Sequence, residues 1–242
     1  TTVGNIVGKT TAVVVAGTSF ADGLAAGGMS YLHKSPILLT NGTSLGAANT
    51  TFLDNEVNPI AQVLIVGGTA AVAEAVATEI KAIKNGLVAI NVMRVSGADR
   101  YATALELAKF RAKATVLQGN AETVTNIMLV SGENFADALS SAAKAGAAAT
   151  MTLLSTAAAT DAATSAWIAS KFATITNVFV TGGTSAISAA TATAAKTGAT
   201  TVKVTPTITA NPGSKVLTVT YNPIMTFTNN ALGNATGNVV PV

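Results

Sequence analysis

Short unbroken apolar runs alternate along this chain with longer stretches whose apolar residues recur at three- and four-residue spacing. The first run, AVVVA at 12–16, is β-branched and predicts a strand, and the small-residue stretch at 20–32 predicts a helix. PILLT at 36–40 is the next strand, followed by a weaker helix near 45–55. AQVLIV at 61–66 predicts a third strand, and GGT then opens a helix over 70–83. AINVMRV at 89–95 and a helix over 99–113 complete the series. Strands that are apolar throughout, separated by amphipathic helices, describe a parallel sheet covered on its faces. The abundant Ala and Gly on the helices allow them to approach the sheet closely.

A shift of 115 residues lays the chain on itself. Gly17 meets Gly132, Phe20 meets Phe135, Asp22 meets Asp137 and Leu24 meets Leu139. PILLT falls on MTLLS at 151–155, and VLIVGGTAAV at 63–72 falls on VFVTGGTSAI at 178–187. Three separated landmarks with one offset indicate an internal duplication. The second copy predicts elements at 127–131, 135–147, 151–155, 161–172, 177–181 and 185–197. Then the pattern breaks. RVSGADRYATA at 94–104 has no counterpart at 209–219, which reads TANPGSKVLTV. Leu217, Val219, Tyr221, Met225 and Phe227 instead fall on alternate positions, and Asn-Pro-Gly-Ser at 211–214 supplies turn chemistry. The expected fold is therefore α/β: two tandem Rossmann-like repeats with parallel sheets at 1–115 and 116–199, then a strand-rich hairpin or arm at 200–242.

Composition changes the picture of the surface. Hydrophobic residues make up 49% of the 242 and charged residues only 10%, against a usual quarter, so Thr, Ser, Asn and Gly must cover the exterior. Secreted and surface-assembled proteins have such a balance more often than cytosolic enzymes do. The net charge is +3, and the last acidic residue is Asp161, which leaves the C-terminal third mildly cationic with Lys171, Lys196, Lys203 and Lys215. Four dispersed lysines are too sparse for a nucleic-acid footprint, though they suit an anionic polymer or simply solubilise the tail. The absence of cysteine excludes disulfides and thiolate metal sites. TTVGN does not read as a secretion signal, and no apolar run approaches the ~18 residues of a membrane span. The sequons at Asn41, Asn49 and Asn234 are what a Thr-rich chain contains by chance.

Candidate chemistry is thin. Ser19-Phe-Ala-Asp22, Asn134-Phe-Ala-Asp137 and Ser96-Gly-Ala-Asp99 each place a small polar residue three before an acid at a helix start. That is a capping pattern and gives the three acids a structural role. The GGT turns at 67–69 and 182–184 resemble anion-binding helix starts, but no P-loop Lys follows, and Thr69 and Thr184 read better as N-caps. His33 is the one histidine, its counterpart is Ala148, and it sits beside Lys34 at a helix end. No GxSxG elbow accompanies it, and no carboxylate cluster has metal-ligand spacing. No catalytic residue, cofactor or metal is expected. Arg100 is placed to pair with Asp99 or Glu106, or to reach a neighbouring repeat.

SGENFADALS at 131–140, PILLT, VLIVGGTAAV and RVSGADRYATA together resemble the type 2 cell-wall-binding repeats of Gram-positive surface proteins. The resemblance covers most of residues 12–198. It implies a non-enzymatic Rossmann-like module, secreted to the cell surface, that holds a protein non-covalently to an anionic cell-wall polysaccharide. It also implies three repeats packed about a pseudo-threefold axis, where this chain has two. The polymer is tied to the Ile-Leu-Leu stretch, here Ile37, Leu38 and Leu39, with Leu153 and Leu154 in the second copy, where Thr152 replaces the first residue. Two further readings stand beside it. A self-assembling subunit of a surface layer or filament would take copies of itself as partners and use the tail as a joining arm. An enzyme on the same fold is the third, since fold does not decide function.

Overall fold

The computed structural model describes residues 11–56, 59–84, 89–113 and 123–200, with strand segments at 207–211, 216–221 and 225–229. The first repeat supplies β1 (Thr11–Ala16), α1 (Phe20–His33), β2 (Ile37–Thr40), α2 (Ala47–Leu53), β3 (Gln62–Val66), α3 (Glu74–Ala82) and β4 (Asn91–Val95). Helix α4 (Arg100–Arg111) follows. The second repeat gives β5 (Asn126–Ser131), α5 (Ala136–Ala147), β6 (Met151–Ser155), α6 (Ala162–Ser170), β7 (Asn177–Val180) and α7 (Ala189–Thr200). The first sheet is parallel, in the order β2-β1-β3-β4, and the second is parallel, in the order β6-β5-β7.

The duplication extends to atomic detail. Val13 pairs with Ile37 and Leu64, and at the same offset Met128 pairs with Thr152 and Phe179. Gly17 N donates to Thr40 O at 2.7 Å, and Gly132 N to Ser155 O at 2.9 Å. The residues Lys34 and Ala149, one after each first helix, both adopt left-handed backbone, with φ of 55° and 48°. Each is followed by the same return bond, Ser35 N to Ser30 O and Thr150 N to Ala145 O. Register follows from the hydrophobic pattern and the turns, so two copies that share both share one register.

Alternation along the strands divides the interior. Ala12, Val14, Leu38 and Ile65 face α3 and its neighbours, while Val13, Val15 and Leu64 face α1. In the second repeat Ile127, Leu129 and Leu153 pack with Trp167, Ile168 and Ile187. The remaining face, Met128, Val130 and Leu154, joins the same cluster as Val13 and Leu64 through Ala25, Ala26 and Met29 of α1 and Ala138 and Ala145 of α5. One central core thus lies under both sheets, and residues 1–200 form a single compact unit within which the expected boundary at 115 falls.

Two expectations need correction. The helices after the GG turns begin at Glu74 and Ala189, not at 70 and 185. A tight turn intervenes, with Val72 N donating to Gly68 O and Ile187 N to Gly183 O, so Thr69 and Thr184 cap nothing. Likewise Ser19 makes no capping bond to α1. Asp99 does cap α4, accepting from Ala102 N at 2.8 Å, and Asp161 caps α6, accepting from Thr164 N at 3.0 Å.

The tail is a separate unit of residues 201–242. It holds β8 (Thr207–Asn211), β9 (Val216–Tyr221) and β10 (Met225–Asn229) as an antiparallel sheet in the order β10-β9-β8. The predicted hairpin is there, extended by a third strand beyond Pro223, while the turn residues 212–215 lie outside the described residues.

Candidate functional site: the groove between equivalent helices

Helices α1 and α5 run side by side with equivalent residues in contact. The Phe20 and Phe135 rings lie 5.8 Å apart. A methyl group on Gly27 would stand 2.9 Å from Ala142 Cβ, its own counterpart, and one on Gly146 would meet the Tyr31 ring at 2.5 Å. The spacing 20, 27, 31 is that of one helical face, and the small residues on it let the two backbones approach closely.

One side of this pair is open. A groove of about 480 Å³ runs between the helices and the end of β2, lined among others by Gly17, Phe20, Tyr31, Ile37, Leu39, Phe135 and Leu139. Leu39 is 62% exposed, Leu139 61% and Phe135 52%. These apolar side chains are gathered at one place, whereas exposed apolar residues are normally scattered singly.

The structure separates the five residues assigned to polymer contact. Ile37 and Leu39 line the groove. Leu38 is buried in the outer core of the first repeat, and Leu153 and Leu154 are fully buried in the second. The difference between Leu39 and Leu154, which occupy the same position in the two copies, comes from α4. Tyr101 and Arg100 lie against Gly132, where a methyl group would stand 2.7 Å from the Tyr101 ring and 3.3 Å from Leu154 Cβ. Arg100 Nη1 donates to Gly132 O at 2.6 Å, and its guanidinium lies 5.6 Å from the centroid of the Phe20 ring. Of the partners open to it, Arg100 therefore takes the neighbouring repeat. Burial pushes the Tyr101 phenol up, with the Glu133 carboxylate adding to the shift.

The two Phe-Ala-Asp acids have a role that the sequence reading missed. Asp22 Oδ2 would lie 2.7 Å from a methyl group on Gly67, and Asp137 Oδ2 2.5 Å from one on Gly182. Both glycines have strongly positive φ, 124° and 114°. Each acid thus lies against the GG turn of its own repeat. The signal was present, since Phe-Ala-Asp and GG recur together at one offset. Burial raises the Asp22 carboxyl above its ordinary value, and the Arg100 charge opposes this. Arg94 fastens the first turn from outside, donating to Gly67 O at 2.9 Å and Val72 O at 2.8 Å and pairing with Glu74 at 3.2 Å. His33 ends α1 as expected. Among the described residues no three His, Asp or Glu side chains converge to hold a metal.

Residues 2–77 and 94–193 match the model of cell wall binding domain 2. The chain belongs to that family. The second matched span begins at Arg94, so it takes in α4 ahead of β5, in keeping with the packing of Arg100 and Tyr101 on Gly132. The N-acetylmuramoyl-L-alanine amidase LytC of Bacillus subtilis is 37% identical over 112 residues, 45% of this chain and 21% of the amidase. Cwp6 from Clostridium difficile matches in structure with a TM-score of 0.63 and 28% identity, over 75% of this chain and 26% of its own. Cwp8 from the same organism matches with a TM-score of 0.59 and 22% identity, over 81% and 30%, and supports the fold. The chain spans about a fifth of the amidase and under a third of either solved structure. The two solved structures share the α/β fold with this chain, and the family match suits a cell-wall-binding surface protein. No described helix is long and apolar enough to cross a membrane.

Proposed function

We propose that this chain is a non-catalytic wall-anchoring module, secreted to the cell surface, that holds its protein to an anionic cell-wall polysaccharide. The observation that carries the reading is the family match over both repeats. The net charge of +3 and the lysine-only C-terminal third favour an anionic partner. Such attraction weakens as salt screens it, with a Debye length of ~10 Å at 0.1 M. Within the Ile-Leu-Leu stretch, Ile37 and Leu39 are the side chains open to a polymer. Leu38, Leu153 and Leu154 act by fixing strands β2 and β6.

Sedimentation with purified cell walls over a salt series tests this. Binding is expected to fall as salt rises and to vanish when the anionic polymer is stripped from the walls. Leu39→Ser is expected to weaken binding with the fold intact, whereas Leu154→Ser should lower stability by about 2–5 kcal/mol, as core truncations do. Binding that ignores both polymer removal and salt would overturn the reading.

A second reading, a self-assembling subunit of a surface layer or filament, is favoured by the tail sheet. Its outer strands β8 and β10 each have one edge unpaired among the described residues, and such edges accept further strands. Light scattering on the full chain and on a chain ending near Gly198 separates the two. Assembly by the full chain alone would favour the subunit.

A further inference from the structure

Charge is divided between the two ends of the α/β unit. Every described lysine lies in the second half of a helix or within two residues of its C-terminal end. Acids stand at the opposite ends: Asp22, Glu74 and Asp137 in the first turns of α1, α3 and α5, and Asp99 and Asp161 as the N-caps of α4 and α6. Helices that join parallel strands all finish beside the strand N-termini. The two repeats share one such end, because α1 and α5 run parallel, with Phe20 on Phe135 at their starts and Tyr31 on Gly146 near their finishes. Helix α4 runs the same way, from Arg100 on the Gly132 carbonyl to Arg111, which donates to Thr150 O at 3.0 Å just ahead of β6. From Arg94 to Thr200, Glu106 is the one described acid away from the helix starts, and it pairs with Lys109 at 2.7 Å. Lys113, Lys144 and Lys171 therefore have no acid at their end among the described residues. Cations at helix ends also answer the helix dipole. A dipole asks for one charge per helix, whereas α4 finishes with Lys109, Arg111 and Lys113.

We propose that this lysine-bearing end, with Lys34, Lys113, Lys144 and Lys171, is a contact surface for the anionic wall polysaccharide. The inference rests on the wall-anchoring reading and places the salt-sensitive part of binding at the end away from Leu39. The exposed cations here are lysines, while Arg111 is 2% exposed. Lysines are point charges on flexible stems, so they attract a chain of repeated charges without the fixed geometry that an arginine fork imposes. Beside Lys34 a hollow of about 630 Å³ is lined by Ser30, Tyr31, Lys34 and Ser35. Tyr31 is 57% exposed, and the buried hydroxyls of Ser30 and Ser35 have no hydrogen-bond partner within the protein. An open aromatic ring, unspent hydroxyls and a lysine are groups that suit a charged sugar. The large apolar side chains exposed on the second repeat, Phe135 and Leu139, stand at the start of α5. The lysines there thus lack the apolar companions that a membrane-surface site carries.

The test combines Lys34→Gln, Lys113→Gln, Lys144→Gln and Lys171→Gln in the full chain and measures binding to purified cell walls over a salt series. Each lysine that contacts a polyanion adds roughly one to the slope of log affinity against log salt. The fourfold variant is expected to bind walls more weakly at low salt, with a slope smaller by about two to four. A control with Lys81→Gln and Lys84→Gln, on the first repeat, is expected to keep the parent's slope. Melting curves follow the fold of both variants. If the parent binds walls and the fourfold variant keeps its slope, the proposal is overturned and wall anchoring stands. In that case a lower melting temperature leaves the lysines as helix-end charges alone. An equal loss of slope per charge in the control would overturn it too, by assigning the effect to net charge. A parent that binds no walls removes the anchoring reading and this proposal together. Vesicles of phosphatidylcholine and phosphatidylglycerol in equal parts supply the last arm. Tighter binding to them than to walls, lost in the fourfold variant, would give the surface to a membrane and overturn the proposal.

Discussion

Asp22 and Gly67 are 45 residues apart in the chain, as are Asp137 and Gly182, and each pair meets at the turn after a third strand. A side chain on either glycine faces two penalties, a left-handed backbone and a collision with the carboxylate. Gly182→Ala is therefore expected to destabilise the protein by about 1–3 kcal/mol in urea unfolding. Adding Asp137→Ala should recover part of that loss, since it removes the collision and leaves the backbone strain. A double-mutant cycle with no coupling would refute the contact. Asp22 carries a pH dependence as well. Its carboxyl is raised above 3.8 in the folded state, mainly by burial. Folding thus favours the protonated acid. The stabilisation is complete below the unfolded value and is lost as pH rises through the folded one. Asp22→Asn does not titrate, so its stability relative to the parent is expected to improve as pH rises across this window and then level off. Melting curves taken at a series of pH values check it, and a flat difference would count against the burial of the charge.

At the scale of elements, the contact that joins the repeats is α1 on α5. Gly28 lies where a methyl group would stand 2.8 Å from Ala145 Cβ and 3.3 Å from Thr152 Oγ1. Gly28→Leu must push α1 away from α5 and β6, and overpacking of this kind costs about 1–3 kcal/mol. Guanidinium unfolding measures the loss. A change below 0.5 kcal/mol, the scale of ordinary surface substitutions, would mean that the helices do not rely on this close approach. The strands and their parallel direction were legible from continuous apolar runs and helical spacing between them. The starts of α3 and α7 were not. Gly-Gly-Thr reads as a helix start locally, but Ala73 N donates to Gly42 O and Ser188 N to Ala157 O, contacts made across the sheet end that hold the turn away from helix.

At the scale of the molecule, residues 1–200 share a core and the tail forms its own sheet. A chain ended at Thr200 is expected to keep the melting temperature and enthalpy of the α/β unit in calorimetry. A fall of several degrees would show that the tail supports that unit. The apolar groove, by contrast, depends on how the repeats sit together. Leu39 and Leu154 are the same residue at the same place in two copies, and only one is open.

The sequence by itself determined the duplication, the α/β class with its parallel sheets and the family, because all of these follow from local periodicity and from motifs repeated at one spacing. It also marked Arg100 as a residue without a counterpart. Only the tertiary structure decided which Leu of the Ile-Leu-Leu stretch faces outward, what the Phe-Ala-Asp acids touch, and where the apolar groove opens. Those depend on contacts between residues far apart in the chain and on which seat α4 fills, and neither is encoded in the local pattern of apolar and polar positions.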